Sequence, residues 1–313
     1  MTGAGDNLSV ERATEIIRSG GLVAMPTETV YGLAADAGNA EAVLGIYEAK
    51  GRPRFNPLIV HCADRAMAGT IGEFTPLSER LAAEFWPGPL TLVLPLVANA
   101  PLAALVTAGL STVGVRVPAH PLAQALIREV GRPLAAPSAN PSGRLTATTA
   151  EAVREAFGGR IPVLDGGRTE SGIESTIVAA GTHALVMLRP GAITRAEIEA
   201  AAGVALVDPT ANAKISSPGQ LRSHYAPNTP LRLNARSVRE GEALLAFGPR
   251  PLASDGPALN LSVTGNLREA ARNLFSHLGE LDKAGATTIA VMPVPFNGLG
   301  EAINDRLKRA AAT

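Results

Sequence analysis

The segment Lys50-Gly51-Arg52-Pro53-Arg54-Phe55-Asn56-Pro57 gathers three cations and two prolines in a short stretch. Prolines stop a helix and bias the residue before them to extended backbone, where residues two apart face the same side. Lys50 and Arg52 are therefore expected to address one anion together, the ammonium as a point charge and the guanidinium as a fork, with phosphate the natural ligand. Solvated cations at the carboxyl end of a helix would look the same in sequence. Pro137-Ser138-Ala139-Asn140-Pro141 repeats the device. Ser138 and Asn140 are two apart and follow an apolar stretch, where open α/β sheets often place ligand groups; a plain Ser/Asn turn competes with that reading.

Pro26-Thr27-Glu28-Thr29-Val30-Tyr31-Gly32-Leu33 carries two hydroxyls, a carboxylate and a phenol after a candidate strand. Such a cluster suits recognition of a small polar molecule, and equally a helix cap with a buried tyrosine. His61 ends another strand, placed to act as a neutral donor or acceptor or as a structural residue. Arg116 alternates with Val113, Val115 and Val117, so it lies opposite an apolar face, exposed or bound to a carboxylate. No GxxxxGK[ST] loop, strand-linked GxGxxG or GxSxG elbow is present, so a nucleotide site here is neither a P-loop nor an ordinary dinucleotide fold, and a hydrolase triad has no support.

The elements that must position these residues alternate from the start. Ser9 is a candidate cap for a helix carrying Val10, Ala13, Ile16 and Ile17 on one face and stopping at Gly20 and Gly21. Expected strands are 22–25, 58–61, 90–96, 113–117, 134–136, 162–164, 175–178 and 185–188, with helices around 40–50, 77–85, 121–130 and 149–157 between several of them. Thr194 and Glu197 form a capping box for a helix to about Ala202. Residues 208–230, rich in Pro, Ser, Asn and Gly, exceed the usual loop of about 4 to 6 residues and read as a linker or a loop over a site. Beyond them come strands 231–233, 243–247, 258–261 and 286–292 and a helix from Asn266 to about Lys283; the alanine-rich tail need not be ordered. The expected organisation is α/β throughout: a mixed sheet with helices over 1–207, a linker or lid at 208–230, and a small parallel-sheet, Rossmann-like domain over 231–313.

Length supports two domains, since 313 residues exceed the roughly 100 to 200 of one. Apolar residues make up 46% and charged residues 18%, and no apolar run nears the roughly 20 residues of a membrane span. The short polar stretch before Ser9 lacks the features of a signal peptide, so a soluble, cytoplasmic protein is expected. Cys62 is the lone cysteine and the five histidines are scattered, so no zinc or other metal site is expected. Zero net charge and 4% aromatics argue against an RNA-binding module, although Lys50, Arg52, Arg54 and Arg116 could line a local basic groove.

Taken together, Pro26 to Leu33, Lys50 to Pro57, Leu58 to His61, Pro137 to Asn140 and Glu174-Ser175-Thr176 resemble the threonylcarbamoyl-AMP synthases built on a YrdC-type domain. The likeness continues through Leu188-Arg189-Pro190-Gly191, Ser217-Pro218-Gly219 and His224-Tyr225-Ala226-Pro227, similar to the linker of the long form, with Gln220 where methionine is common. The resemblance implies an enzyme that joins threonine, bicarbonate and ATP into threonylcarbamoyl-adenylate, with magnesium carried by the ATP phosphates. The product would pass to a separate tRNA transferase, with direct tRNA binding weak or absent and no membrane involved. It implies ATP contacts at Arg52, Asn56, Thr112, Ser138, Thr146, Arg189 and Tyr225, with Lys50 and Asn140 completing a Lys-x-Arg and Ser-x-Asn catalytic set. It implies threonine contacts at Thr29, His61, Arg116, Ala136 and Ser175, and a lid over 217–227 closed by Tyr225. Larger carbamoyltransferases with YrdC-type domains have further modules for which this chain lacks the length and the cysteines. On this reading Arg52→Ala is expected to lower adenylate formation by orders of magnitude with the fold retained; near-normal pyrophosphate release by the folded variant would remove Arg52 from the site.

Overall fold

The structure, a computed structural model, describes residues 8–181, 184–209 and 224–312. In chain order the first part runs α1 (Val10–Arg18), β1 (Val23–Met25), β2 (Gly32–Asp36), α2 (Ala40–Lys50), β3 (Ile59–His61), α3 (Arg65–Gly69), α4 (Pro76–Phe85) and β4 (Leu90–Pro95). It continues through α5 (Ala104–Thr107), β5 (Thr112–Arg116), α6 (Pro121–Val130), β6 (Leu134–Ala135), α7 (Ala150–Phe157), β7 (Thr176–Ala180), β8 (Leu185–Arg189), α8 (Arg195–Ala202) and β9 (Leu206–Val207). The second part is β10 (Leu231–Arg232), β11 (Glu242–Ala246), β12 (Ala258–Asn260), α9 (Leu267–Asp282), β13 (Thr288–Val291) and α10 (Gly300–Ala310).

Strands β1 to β9 make one mixed sheet in the order β1-β2-β6-β3-β5-β4-β7-β8-β9; the other four make a parallel sheet, β10-β13-β11-β12. Alternation along β2 sends Leu33 and Ala35 into a core with α2 and α7, and Ala34 into another with α1 and α6. Strands β3 and β5 are parallel with His61 opposite Arg116. Val60, Val113, Val115 and Val117 pack into the α2 and α7 core. Ile59, His61 and Arg116 consequently look to the other face, where the cavity described below opens. Helix starts follow their chemistry: Ser9 accepts from the Arg12 amide, and Thr194 with Glu197 closes the expected capping box.

Several sequence expectations need correction. Strand β2 was not expected, because Gly-Leu-Ala-Ala-Asp has none of the β-branched or aromatic residues that mark strands; antiparallel pairing with β1 and β6 overrides that weak propensity. Residues 162–164 are not a strand but a single bridge, Val163 to Ala24. The tail is helical through Ala310, since Ala302, Ile303, Arg306, Leu307 and Ala310 give α10 a buried face. Lys50 is not on extended backbone: it ends α2, and Gly51, in the left-handed region at φ 58, turns the chain.

The parallel sheet, α9 and α10 enclose a second core, and that core also takes in Ile173 from the first part. Gly172 just before it passes so close to the Arg272 backbone of α9 that a side chain there would overlap it. Leu274→Ala, which truncates a fully buried α9 side chain, is expected to cost about 2 to 5 kcal/mol in urea denaturation; a loss under about 1 kcal/mol would mean this face is not packed.

Candidate active site

One cavity collects residues from five loops and strand ends. Thr27, Thr29, Val30 and Tyr31 come from the β1–β2 turn, Gly32 from the start of β2, Ile59 and His61 from β3, and Arg116 from β5. Ala136, Pro137 and Ser138 follow β6, Glu174 and Ser175 precede β7, Arg189 ends β8, and Arg52, His224 and Tyr225 complete the wall. Its volume is only about 40 Å³, well below the roughly 300 to 1,000 Å³ of ordinary small-molecule sites. The chain is thus drawn tightly around the site. Among the described residues, three arginines against one carboxylate, Glu174, make the lining net positive and suited to an anion.

Each cation is held by a different device. Arg116 donates from Nε to the Gly88 carbonyl at 3.2 Å, from Nη1 to Thr29 Oγ1 at 2.9 Å, and from Nη2 to the Glu28 carboxylate. The pair is buried, and Glu28 also accepts from the Ala119 amide at 3.1 Å. Of the exposed and carboxylate-bound alternatives, the second holds, and the carboxylate is the protein's own. Three of the five guanidinium N–H groups are thereby used, leaving two without a partner among the described residues. Arg52 donates to the Asn56 and Pro57 carbonyls at 3.1 and 2.8 Å, which folds the 52–57 loop around its own guanidinium. Burial pushes Arg52 down to about 10, so it stays charged at neutral pH. Arg189 donates to the Ser175 carbonyl at 2.9 Å and to Ser175 Oγ at 3.1 Å, and Thr91 shares a 2.8 Å bond with that hydroxyl. Gly191 lets the chain after β8 lie against Glu174 and Ser175, because a Cβ there would overlap the Thr176 amide and the Glu174 carbonyl.

Lys50 and Asn140 are placed otherwise than their spacing suggested. Lys50 Nζ donates to the Ser138 carbonyl at 2.6 Å and to the Asn140 carbonyl, while its own carbonyl accepts from the Ser142 amide at 2.7 Å. Asn140 Nδ2 donates to the Pro141 and Arg144 carbonyls at 3.0 and 2.8 Å. The two residues staple the 137–144 loop to the end of α2; only Arg52 and Ser138 of the four line the cavity. Burial, with Arg52 nearby, pushes the Lys50 ammonium well down from its ordinary value.

Of the other residues singled out in the sequence, Thr29, His61, Arg116, Ala136, Ser175, Arg189 and Tyr225 line the cavity, whereas Asn56, Thr112 and Thr146 do not. Asn56 is buried, and neither side-chain atom has a partner among the described residues. Thr112 begins β5 on the face of Gly114 and Arg116. Thr146 Oγ1 donates to Glu174 Oε1 at 2.8 Å. Glu174 and His224 also line the cavity, and no local spacing in the sequence signals that they meet. Ser217 to Ser223 lie outside the described residues. Tyr225 is buried with φ at 65, a left-handed conformation costing about 1 to 3 kcal/mol for a non-glycine residue, and is held there by His224 and by Phe275 of α9.

Burial pushes both His61 and His224 down to about 3, with Arg116 adding to the effect at His61. Both imidazoles are neutral at physiological pH, available as neutral hydrogen-bonding groups. The unfolded chain protonates them near pH 6.5 while the folded chain does not, so folding stability falls as pH drops from about 6.5 toward 3. Each is expected to contribute a slope of about 1.4 kcal/mol per pH unit in that window, and His61→Gln should flatten the profile of urea-unfolding free energy between pH 6.5 and 5 by one such increment. An unchanged slope would mean that His61 is charged in the folded protein.

Comparison with known proteins matches this arrangement along the whole chain. Residues 15–191 match the Sua5, YciO and YrdC family, described as Telomere recombination, and residues 193–312 match the family described as Threonylcarbamoyl-AMP synthase, C-terminal domain. The threonylcarbamoyl-AMP synthase of Bacillus subtilis is 41% identical over 321 residues, covering 96% of this chain and 92% of that protein. The Pyrococcus abyssi threonylcarbamoyl-AMP synthase is 40% identical, covering 96% and 93%. The crystal structure of P. abyssi Sua5 complexed with L-threonine aligns with TM-score 0.88 at 37% identity, covering 99% of this chain and 96% of that one. A net-positive cavity in a two-sheet α/β chain, with relatives matching over nearly its full length, places this protein in the threonylcarbamoyl-AMP synthase family.

Proposed function

We propose that this protein synthesises L-threonylcarbamoyladenylate from L-threonine, bicarbonate and ATP, releasing pyrophosphate. The observation that carries the reading is the cavity in which Arg52, Arg116 and Arg189 converge with a neutral His61 and the hydroxyls of Thr29, Ser138 and Ser175. That donor set suits a polyphosphate beside a small hydroxylated amino acid. The amine of threonine and bicarbonate give an N-carboxylate and water; a carboxylate oxygen then attacks the α-phosphorus in line as pyrophosphate leaves. No protein nucleophile is required, and the chain's work is to align reactants and offset charge.

In this reading Arg52, Arg189 and Ser138 meet ATP, with Asn56, Thr112, Thr146 and Tyr225 further contacts once the site opens. Thr29, His61, Arg116, Ala136 and Ser175 hold threonine, the two unused N–H groups of Arg116 facing its carboxylate. Lys50 and Asn140 act by fixing the Ser138 loop. Magnesium arrives on the ATP phosphates as part of the substrate, while the lining carboxylate Glu174 is engaged by Arg306 and Thr146. We further assign residues 1–207 to catalysis, 208–230 to a linker and lid that Tyr225 closes, and 231–313 to a supporting domain. The product would serve a tRNA threonylcarbamoyl transferase in the cytoplasm, with little direct tRNA binding by this chain. No helix among the described residues is long and apolar enough to cross a membrane.

The test is pyrophosphate release from ATP with bicarbonate and threonine, serine or valine. Threonine should be preferred, and valine, which leaves the hydroxyl-reading groups unpaired, should be rejected by roughly 10⁴-fold in kcat/KM. Equal release with bicarbonate or the amino acid omitted would overturn the reading.

A further inference from the structure

Resting on the adenylate-forming reading, we propose that Arg306, on α10 of the second part, is a positioning residue for the reaction that acts through Glu174. Arg306 is 1% exposed and lies 132 residues from Glu174 in sequence, yet its Nε donates to Glu174 Oε2 at 2.9 Å. The other carboxylate oxygen accepts from Thr146 Oγ1 at 2.8 Å, and Arg306 Nη1 donates to Asp305 at 2.8 Å. The guanidinium carbon also lies 5.2 Å from the centre of the Tyr225 ring, within cation–π range. One buried side chain of the second part thus touches two residues of the cavity wall.

The backbone leads the same way. Gly172 packs against α9, Ile173 sits in the second core, Glu174 meets Arg306, and Ser175 binds Arg189 and Thr91 inside the cavity. Four consecutive residues therefore run from the second core into the site. A buried carboxylate is kept charged only where fixed donors replace water. Arg306 of α10, Arg189 of β8, and His224 and Tyr225 of the wall are the ionisable groups facing Glu174 among the described residues, and Asp305 pairs with Arg306. Burial pushes its pKa up, but Arg306 and then Arg189 outweigh this and hold it below the usual carboxylate value. As an anion, Glu174 accepts from the Thr146 hydroxyl and offsets part of the charge of Arg189 in the cavity; as a neutral acid it does neither well.

The test compares the full-length wild type with Arg306→Met, Arg306→Lys, Glu174→Gln and the Arg306→Met/Glu174→Gln pair, following kcat and KM for pyrophosphate release against pH. Without its cation Glu174 takes up a proton at higher pH, so the acid limb of kcat in Arg306→Met should move up by about 1 to 3 pH units. Threonine KM should change less than about threefold while kcat falls at least about tenfold, and Arg306→Lys should restore much of the limb. An Arg306→Met limb that coincides with the wild type overturns the proposal. If that variant does not fold, the pair decides, since it leaves no unpaired charge: adding Arg306→Met to Glu174→Gln should cost under about threefold in kcat, and losses that multiply instead refute action through Glu174. Failure of the adenylation reading looks different, since the wild type itself would then release no pyrophosphate. In that case urea unfolding still reports on the pair: the raised Glu174 pKa makes Arg306→Met lose stability relative to wild type as pH rises above about 4.3, a gap absent in the Glu174→Gln background.

Discussion

Lys50, Arg52, Arg116 and Arg189 are all buried around one small cavity, and the surrounding chain is arranged to make that tolerable. A cation taken out of water loses several kcal/mol of solvation unless fixed acceptors replace it. Here the acceptors are mostly main-chain carbonyls: Ser138 and Asn140 for Lys50, Asn56 and Pro57 for Arg52, Ser175 for Arg189. Among the described residues, Arg116 alone of the four has a carboxylate partner, Glu28. Carbonyls satisfy a cation's hydrogen bonds without cancelling its charge, so the lining stays positive and prepared for an anionic ligand.

This requirement explains why irregular segments rather than strands form most of the wall. A strand spends its carbonyls on its neighbours, whereas the turns at 52–57 and 137–144 can aim theirs inward. Prolines at 53, 57, 137 and 141 leave fewer main-chain donors to compete for those carbonyls. The sheet supplies what the turns cannot, a fixed register that sets His61 beside Arg116 on the face away from the valine core. The second part closes the arrangement from outside by packing Phe275 and Ala310 against Tyr225 and by sharing its core with Ile173.

Much of this was legible in the residues themselves. Helix starts at Ser9 and Thr194, the long α9, and the separation of Arg116 from its valines follow from caps and periodicity, which act over a few residues. The features that escaped depend on distant partners. β2 exists because β1 and β6 flank it, and α10 is ordered because its buried face packs against the rest of the second core. Lys50 lies against the Ser138 loop as the motifs suggest, but the spacing of two gives the wrong geometry. Gly51 turns the chain out of helix α2, and the ammonium found carbonyls before it could reach the cavity.

By itself the sequence determined which groups were available and the local conformations that carry them: the paired prolines, the helix caps, the alternating strands and the arginines of the quoted motifs. These are short-range properties, set by backbone sterics and hydrogen bonds within a turn or two. Only the tertiary structure decided which cations face the cavity and which fasten its walls, that Arg116 is paired with Glu28, and that Arg306 reaches Glu174 across 132 residues. Those outcomes turn on which acceptor a buried charge meets first, and long-range packing brings the acceptor.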